Sequence, residues 1–163
     1  MIESLRIPDV KLLHPKRFED SRGFFSETYN SRTLSDAGIN VSFVQDNHSF
    51  SAERGVLRGL HFQTPPHAQA KLVRCTRGSI YDVAVDIREG SNTFGEHVGA
   101  TLTAANWIQI FIPAGFAHGF VVLEPNTEVQ YKVSDFYSPE NDANIRWNDP
   151  SLGIDWKVKA EEV

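Results

Sequence analysis

The chain never sustains a helical period for long. Apolar runs of strand length recur instead along its 163 residues, each closed by Gly, Pro, Asn or Ser. The runs 9–13, 23–29, 41–46, 55–63, 71–76, 79–87, 98–104, 107–113, 119–123 and 127–134 read as strands. The segment from Ile80 to Ile87 is rich in strand formers and partly alternates. The segment from Trp107 to Ile112 is nearly continuous apolar, the pattern of a strand covered on both faces. Arg77-Gly78, Glu89-Gly90-Ser91-Asn92, Ala105-Asn106 and Pro125-Asn126 supply turns. Many short strands with regular turns predict an all-β, antiparallel sandwich or barrel. One early segment differs. Asn30 to Gly38 opens with capping residues and closes on a glycine suited to the position after a helix. The tail from Lys157 to Val163 offers at most the start of another helix.

With 40% hydrophobic and 23% charged residues, and no repeat or low-complexity tract, residues 1–163 read as one globular domain. Cys75 is the only cysteine, which excludes an internal disulfide framework and a Cys-x-x-Cys zinc site. That usage fits a reducing compartment. No apolar run approaches the ~20 residues needed to cross a bilayer, so no membrane partner is expected. The start, Met-Ile-Glu-Ser-Leu-Arg-Ile-Pro-Asp, lacks the basic and apolar regions of a secretory leader. A net charge of -5 argues against a nucleic-acid partner. It leaves room for a local arginine cluster that holds a small anion.

The chemistry-bearing residues sit in short motifs. His61 lies in Arg58-Gly59-Leu60-His61-Phe62-Gln63. His118 ends Pro113-x-Gly115-x-x-His118, which resembles the second half of the cupin jelly-roll signature. Metal-binding cupins add a His-x-His pair and a Glu in the first half, whereas here His61 is followed by Phe62 and Gln63. A metal needs about three protein ligands and an open position, so no metal is expected. Taken alone, His61 fits a hydrogen-bonded core histidine as well as a catalytic one. Arg22, Arg58 and Lys71 suit a diphosphate if the fold gathers them, and are solvated surface charges if it does not. Tyr131, inside a strand, is either a core residue or a proton donor. Tyr137, beyond that strand, is placed to stack on a planar base. Phe120, Trp147 and Trp156 read as core.

In order along the chain stand Asp20-x-Arg22-Gly23-x-Phe25-x-Glu27-x-Tyr29, Gln45-Asp46-Asn47-His48-Ser49, Val56-Leu57-Arg58-Gly59-Leu60-His61-Phe62-Gln63, Lys71-Leu72-Val73-Arg74, Asp82-Val83-Ala84-Val85-Asp86-Ile87-Arg88, Thr93-Phe94-Gly95, Ile112-Pro113-x-Gly115-Phe116-Ala117-His118-Gly119-Phe120, Tyr131-Lys132 and Trp147-Asn148-Asp149-Pro150. Each motif is weak alone. Together, from about Arg6 to Trp156, the set resembles the dTDP-4-dehydrorhamnose 3,5-epimerase family. The resemblance implies a cupin-type antiparallel jelly roll with a few short helices, working without metal or organic cofactor. It implies a homodimer built through N-terminal strands. The implied substrate is a dTDP-4-keto-6-deoxy sugar on the way to dTDP-L-rhamnose and cell-surface polysaccharide. It casts His61 as general base, Tyr131 as general acid, and Lys71 as the cation beside a developing enolate. It assigns Arg22, Glu27, Gln45, Asp46, Asn47, Arg58 and His118 to nucleotide and sugar contacts, Tyr137 to thymine stacking, and Asp142 to a further substrate contact.

This sequence departs from the family pattern twice. The family's base histidine pairs with an aspartate in a Leu-Ser-x-Lys-Asp-like segment after the Trp-Asn-Asp-Pro block, and the sequence reaches Val163 before one. Either the sequence is cut short or His61 has another partner, with Asp82 and Asp86 as candidates. Where the family often has Glu-x-Gly, this chain has Asp142-Ala143-Asn144. Geometry adds a condition. Arg58 and His61, three positions apart, face opposite sides of a regular strand, and share a site only if Gly59 marks a bulge. Three other readings stay open: a mono-epimerase at C3 or C5, a cupin isomerase that moves the keto group between C3 and C4, and a non-catalytic nucleotide-sugar-binding cupin.

Overall fold

The computed structural model describes residues 1–163 as an antiparallel β-sandwich. The elements in order are β1 (Ile2–Ser4), β2 (Lys11–Leu13), β3 (Phe18–Asp20), β4 (Gly23–Phe25), α1 (Ser31–Asp36), β5 (Gln45–Ser51), β6 (Leu57–Gln63), β7 (Lys71–Arg77), β8 (Ser79–Asp86), β9 (His97–Thr103), β10 (Gln109–Ile112), β11 (Phe116–Val122), β12 (Thr127–Val133) and β13 (Asp142–Asn144), with a 3-10 turn at Ala160–Glu162. One sheet runs β1-β2-β10-β7-β12-β5 and the other β13-β6-β11-β8-β9, while β3 and β4 form a separate hairpin. This is the cupin-type jelly roll.

Side-chain alternation sorts the apolar residues into three clusters. Val73, Cys75, Ile80, Ala84, Ile110, Ile112, Phe116, Phe120 and Val129 point between the sheets and form the main core. Leu72 and Phe111 point the other way, and pack on the outer face against Leu34 of α1 and Ile39. Val83, Val85, Ala117 and Val121 cover the outer face of the second sheet under Trp156. The nearly continuous apolar run of β10 follows from this arrangement, because Ile110 and Phe111 enter different clusters. Trp156 and Phe120 are buried as expected, and Trp147 is half-buried against the same outer cluster as Trp156.

Some strands sit elsewhere than the pattern suggested. The run 41–46 is displaced: Val41 and Phe43 pack against the helix-side cluster, and the strand begins at Gln45. Its residues, Gln45 to Ser51, are mostly polar and carry no hydrophobic signal. The run 23–29 shortens to β4 because only Gly23–Phe25 pairs with β3. The three-residue strands β1, β3 and β13 are too short to show alternation. The helix forms where the capping pattern placed it, with the Asn30 side chain accepting from the backbone N–H of Arg32 and Thr33.

Candidate active site

The apolar core fills one part of the space between the sheets, and a cavity of about 680 Å³ opens in another. The six-stranded sheet supplies Gln45, Asn47 and Ser49 from β5, Lys71 from β7 and Tyr131 from β12. The five-stranded sheet supplies Arg58 and His61 from β6 and His118 from β11, with Asp142 at its β13 edge. Tyr137 closes the rim. Nine of the residues singled out by sequence therefore line one chamber.

Arg58 and His61 share this chamber through a bulge. On β11, His118 pairs with His61 and Phe120 with Arg58, so two steps along β11 match three along β6. The extra residue falls at Gly59–Leu60. Gly59 has φ of 135°, and a Cβ there would lie 2.5 Å from the Gly119 Cα. Only glycine fits both the conformation and the close approach. Leu60 turns away into the outer cluster.

The ionisable groups perturb one another. Lys71 is 8% exposed, and burial pushes its ammonium down to about 8, with Asp82 and Asp142 acting against the shift. The His61 imidazole is held below its ordinary value, first by partial burial, then by Lys71 and His118, with Asp142 opposing. Burial raises the Tyr131 phenol, partly offset by Arg58. At neutral pH this leaves a neutral imidazole that can accept a proton and a phenol that keeps one.

Asp82 and Asp86, the candidates for pairing with His61, are both committed elsewhere. Asp82 is fully buried, and its oxygens lie 2.9 and 3.0 Å from His118 Nε2. Asp86 accepts from Arg88, Ser91 and Thr93, and locks the turn after β8. The reason is sheet order: Asp82 points inward from β8, opposite Phe120 of β11, and reaches the diagonal inward neighbour His118, while His61 lies one strand further, on β6. The His61 side chain makes no hydrogen bond, and Asp142 is the carboxylate that acts on it.

These features point to a nucleotide-sugar epimerase site, and comparison decides the family. The sequence matches the family described as dTDP-4-dehydrorhamnose 3,5-epimerase over residues 4–163. The chain belongs to the dTDP-4-dehydrorhamnose 3,5-epimerase family. The Pseudomonas aeruginosa dTDP-4-dehydrorhamnose 3,5-epimerase is 59% identical over 156 residues, covering 95% of this chain and 85% of its own. A solved dTDP-6-deoxy-D-glucose-3,5-epimerase from Legionella pneumophila, in complex with dTDP-4-keto-L-rhamnose, superposes with a TM-score of 0.94. It is 45% identical and spans 98% of this chain and 85% of that one. A 3'-monoepimerase from Streptomyces bikiniensis, in complex with dTDP-quinovose, superposes at 0.86 with 32% identity over 93% of this chain and 77% of its own.

In this epimerase-family chain, three of the sequence candidates lie outside the cavity. Asp46 sits on the opposite face of β5 from Gln45 and Asn47, paired with Lys132 at 2.8 Å. Asp46 and Glu27 line a second cavity of about 390 Å³ on the outer face of the six-stranded sheet, together with Arg74 and Gln130. Arg22 stands on the β3–β4 hairpin with its side chain 88% exposed, held by Asp20. The same hairpin exposes Phe18, Phe24 and Phe25. Nowhere do three or more His, Cys, Asp or Glu side chains gather to hold a metal ion. No helix is long and apolar enough to cross a membrane.

Sequence reasoning also missed cavity residues. Ser49 has a buried hydroxyl with no protein partner. Its place two residues after Asn47 on a strand was the signal available. Gln63 and Gln69 line the cavity as well. Gln63 lies two residues after His61, so the same alternation marks it.

Proposed function

We infer that this epimerase inverts C3 and C5 of a dTDP-4-keto-6-deoxyhexose, the step that yields dTDP-4-keto-L-rhamnose for dTDP-L-rhamnose synthesis. The observation that carries the reading is that His61 and Tyr131 enter one cavity from the two facing sheets, with Lys71 buried beside them. Inversion at carbon requires removal of a proton on one face and its return on the other. Groups mounted on opposite walls meet that need, and groups on one wall do not.

The 4-keto group acidifies the hydrogens at both neighbouring carbons. The neutral His61 imidazole takes the proton, the C–H bonding pair moves into the ring, and the carbonyl pair moves onto the C4 oxygen. The Lys71 ammonium, itself buried, stabilises that enolate oxygen, a contribution of about a few kcal/mol in comparable oxyanion sites. The Tyr131 hydroxyl then donates its proton to the same carbon from the opposite face, and the carbonyl re-forms. Water returns a proton to Tyr131 and takes one from His61, so the cycle balances and can repeat at the second carbon. Arg58, which lines the cavity while bonding Ser51 and the Phe50 carbonyl, suits the diphosphate. Gln45, Asn47 and His118 suit the nucleotide and the sugar, Tyr137 suits the thymine, and Asp142 stands in for the longer carboxylate usual in the family.

Arg22 and Glu27 reach a nucleotide only from a second copy of the chain. The projecting β3–β4 hairpin, with three exposed phenylalanines, supports a homodimer in which these N-terminal strands enter the partner. A cytoplasmic role feeding cell-surface polysaccharide fits the same reading.

The runner-up is inversion at one carbon, because the Streptomyces bikiniensis 3'-monoepimerase shares the fold. The 59% identity to a 3,5-epimerase, against 32% to the mono-epimerase, favours the double reaction. Nuclear magnetic resonance of the sugar in deuterated water tests it. Deuterium at C3 and C5 is expected. Deuterium at one carbon means a mono-epimerase, a shifted keto carbon a ketoisomerase, and no exchange a binding protein.

A further inference from the structure

We propose that Gln63 is a positioning residue that fixes Tyr137 in the orientation needed to stack on the nucleotide base. The proposal rests on the reading of Tyr137 as the base platform. Tyr137 is a loop residue, 57% exposed, and lies in no strand or helix that would orient it. Gln63, at the end of β6, is 6% exposed and spends its whole side-chain amide on backbone groups of two rim loops. Its Nε2 donates to the Phe136 carbonyl at 3.2 Å and to the His67 carbonyl at 2.6 Å. Its Oε1 accepts from the Ser138 N–H at 2.9 Å.

Those partners are not scattered. The Phe136 carbonyl belongs to the peptide plane before the Tyr137 Cα, and the Ser138 N–H to the plane after it. Holding both planes sets φ and ψ of Tyr137, and these two angles set the direction of its Cα–Cβ bond. Gln45 adds a third restraint by accepting from the Tyr137 N–H at 3.2 Å. The His67 carbonyl brings in the facing loop, which is tied again to Asp135 by His67 Nδ1 at 3.0 Å and by Gln69, donating to the Asp135 carbonyl, at 2.8 Å. An aromatic platform that must find its orientation on binding costs affinity, and a preset one does not. Because Gln63 grows from the strand that carries His61, base platform and general base are held to one rigid element. No other side chain bonds both planes flanking Tyr137.

The expected consequence is a split between binding and turnover. Gln63→Leu, and the isosteric Gln63→Glu, which loses both N–H donors, should weaken dTDP binding by about tenfold in calorimetry. KM for the nucleotide sugar should rise in step, and kcat at saturation should fall less than about threefold. Tyr137→Ala should also weaken dTDP binding, and adding Gln63→Leu to it should cost little more, because both changes remove the same stacking. In the wild-type chain the Ser138 amide should be protected from hydrogen exchange, a measurement that needs no variant to fold. An additive loss in the double variant, a fall in kcat that matches the rise in KM, or an unprotected Ser138 amide overturns the positioning role. Unchanged dTDP binding in Tyr137→Ala overturns the stacking reading itself, and the role of Gln63 with it.

Discussion

Arg58 and His61 face the same cavity although they stand three positions apart on one strand, because the bulge at Gly59 adds a residue to β6 against β11. That relationship is held by a glycine at φ of 135° packed 2.5 Å, for a notional Cβ, from Gly119. Gly59→Ala therefore meets both a disfavoured backbone region and backbone atoms that cannot move aside. A loss of ~2 kcal/mol or more in chemical denaturation is expected, with exchange activity lost as the two side chains separate. A stable, active alanine variant would show that the bulge does not need glycine.

His61→Asn should abolish deuterium exchange at both carbons, since an amide takes no proton near neutral pH. The expected loss is about 10²–10⁴-fold, the usual contribution of a general base. dTDP affinity should hardly move, as Arg58 and Tyr137 remain. A structural histidine would give the reverse: a lower melting temperature with turnover preserved.

Tyr131→Phe keeps the ring packed against the main core, so stability should change little. Exchange at the carbons should remain measurable while net inversion collapses, because the enolate still forms but is reprotonated from the His61 side. Equal loss of exchange and inversion would deny Tyr131 a separate donor role.

The pH profile follows from two shifts. His61 sits below its ordinary value of 6.5 and is neutral at pH 7, while Lys71 keeps its charge only up to about 8. The active combination exists between those limits, so kcat/KM should fall above about pH 8. Lys71→Arg should move that alkaline fall upward, because a guanidinium stays charged. Stability runs the other way. Between about 8 and 10.5 the unfolded chain holds a proton on this lysine that the folded chain does not, so unfolding free energy rises with pH through that window. An alkaline limb unmoved in Lys71→Arg would remove Lys71 from the chemistry.

Asp82→Asn leaves the shape of the His118–Asp82 pair and removes its charge. The carboxylate accepts the Nε2 proton of a histidine that lines the cavity. Turnover should drop about tenfold to a hundredfold, on the order of the 1.5–3 kcal/mol that a hydrogen bond to a charged group contributes. Normal turnover with a lowered melting temperature would make the pair structural only.

Much of this protein was legible in its sequence because alternation and turn residues act locally. The run at β8, the doubly covered β10, the Asn30 cap and the Gly59 condition each follow from neighbours in the chain. The motif order that resembles one epimerase family is likewise written along the chain. Other features depend on which strands become neighbours across the sandwich, and no local pattern carries that. The facing of His61 and Tyr131, the capture of Asp82 by His118, and the grip of Gln63 on both peptide planes of Tyr137 arise only when two sheets close. Asp46 shows the limit most plainly. It shares a motif with Gln45 and Asn47, yet strand parity turns it to the outer face, where Lys132 meets it. Sequence set the alphabet of the site and its spacing along each strand. Sheet order and register decided which of those residues share a wall, because side-chain direction is fixed per strand while proximity is fixed between strands.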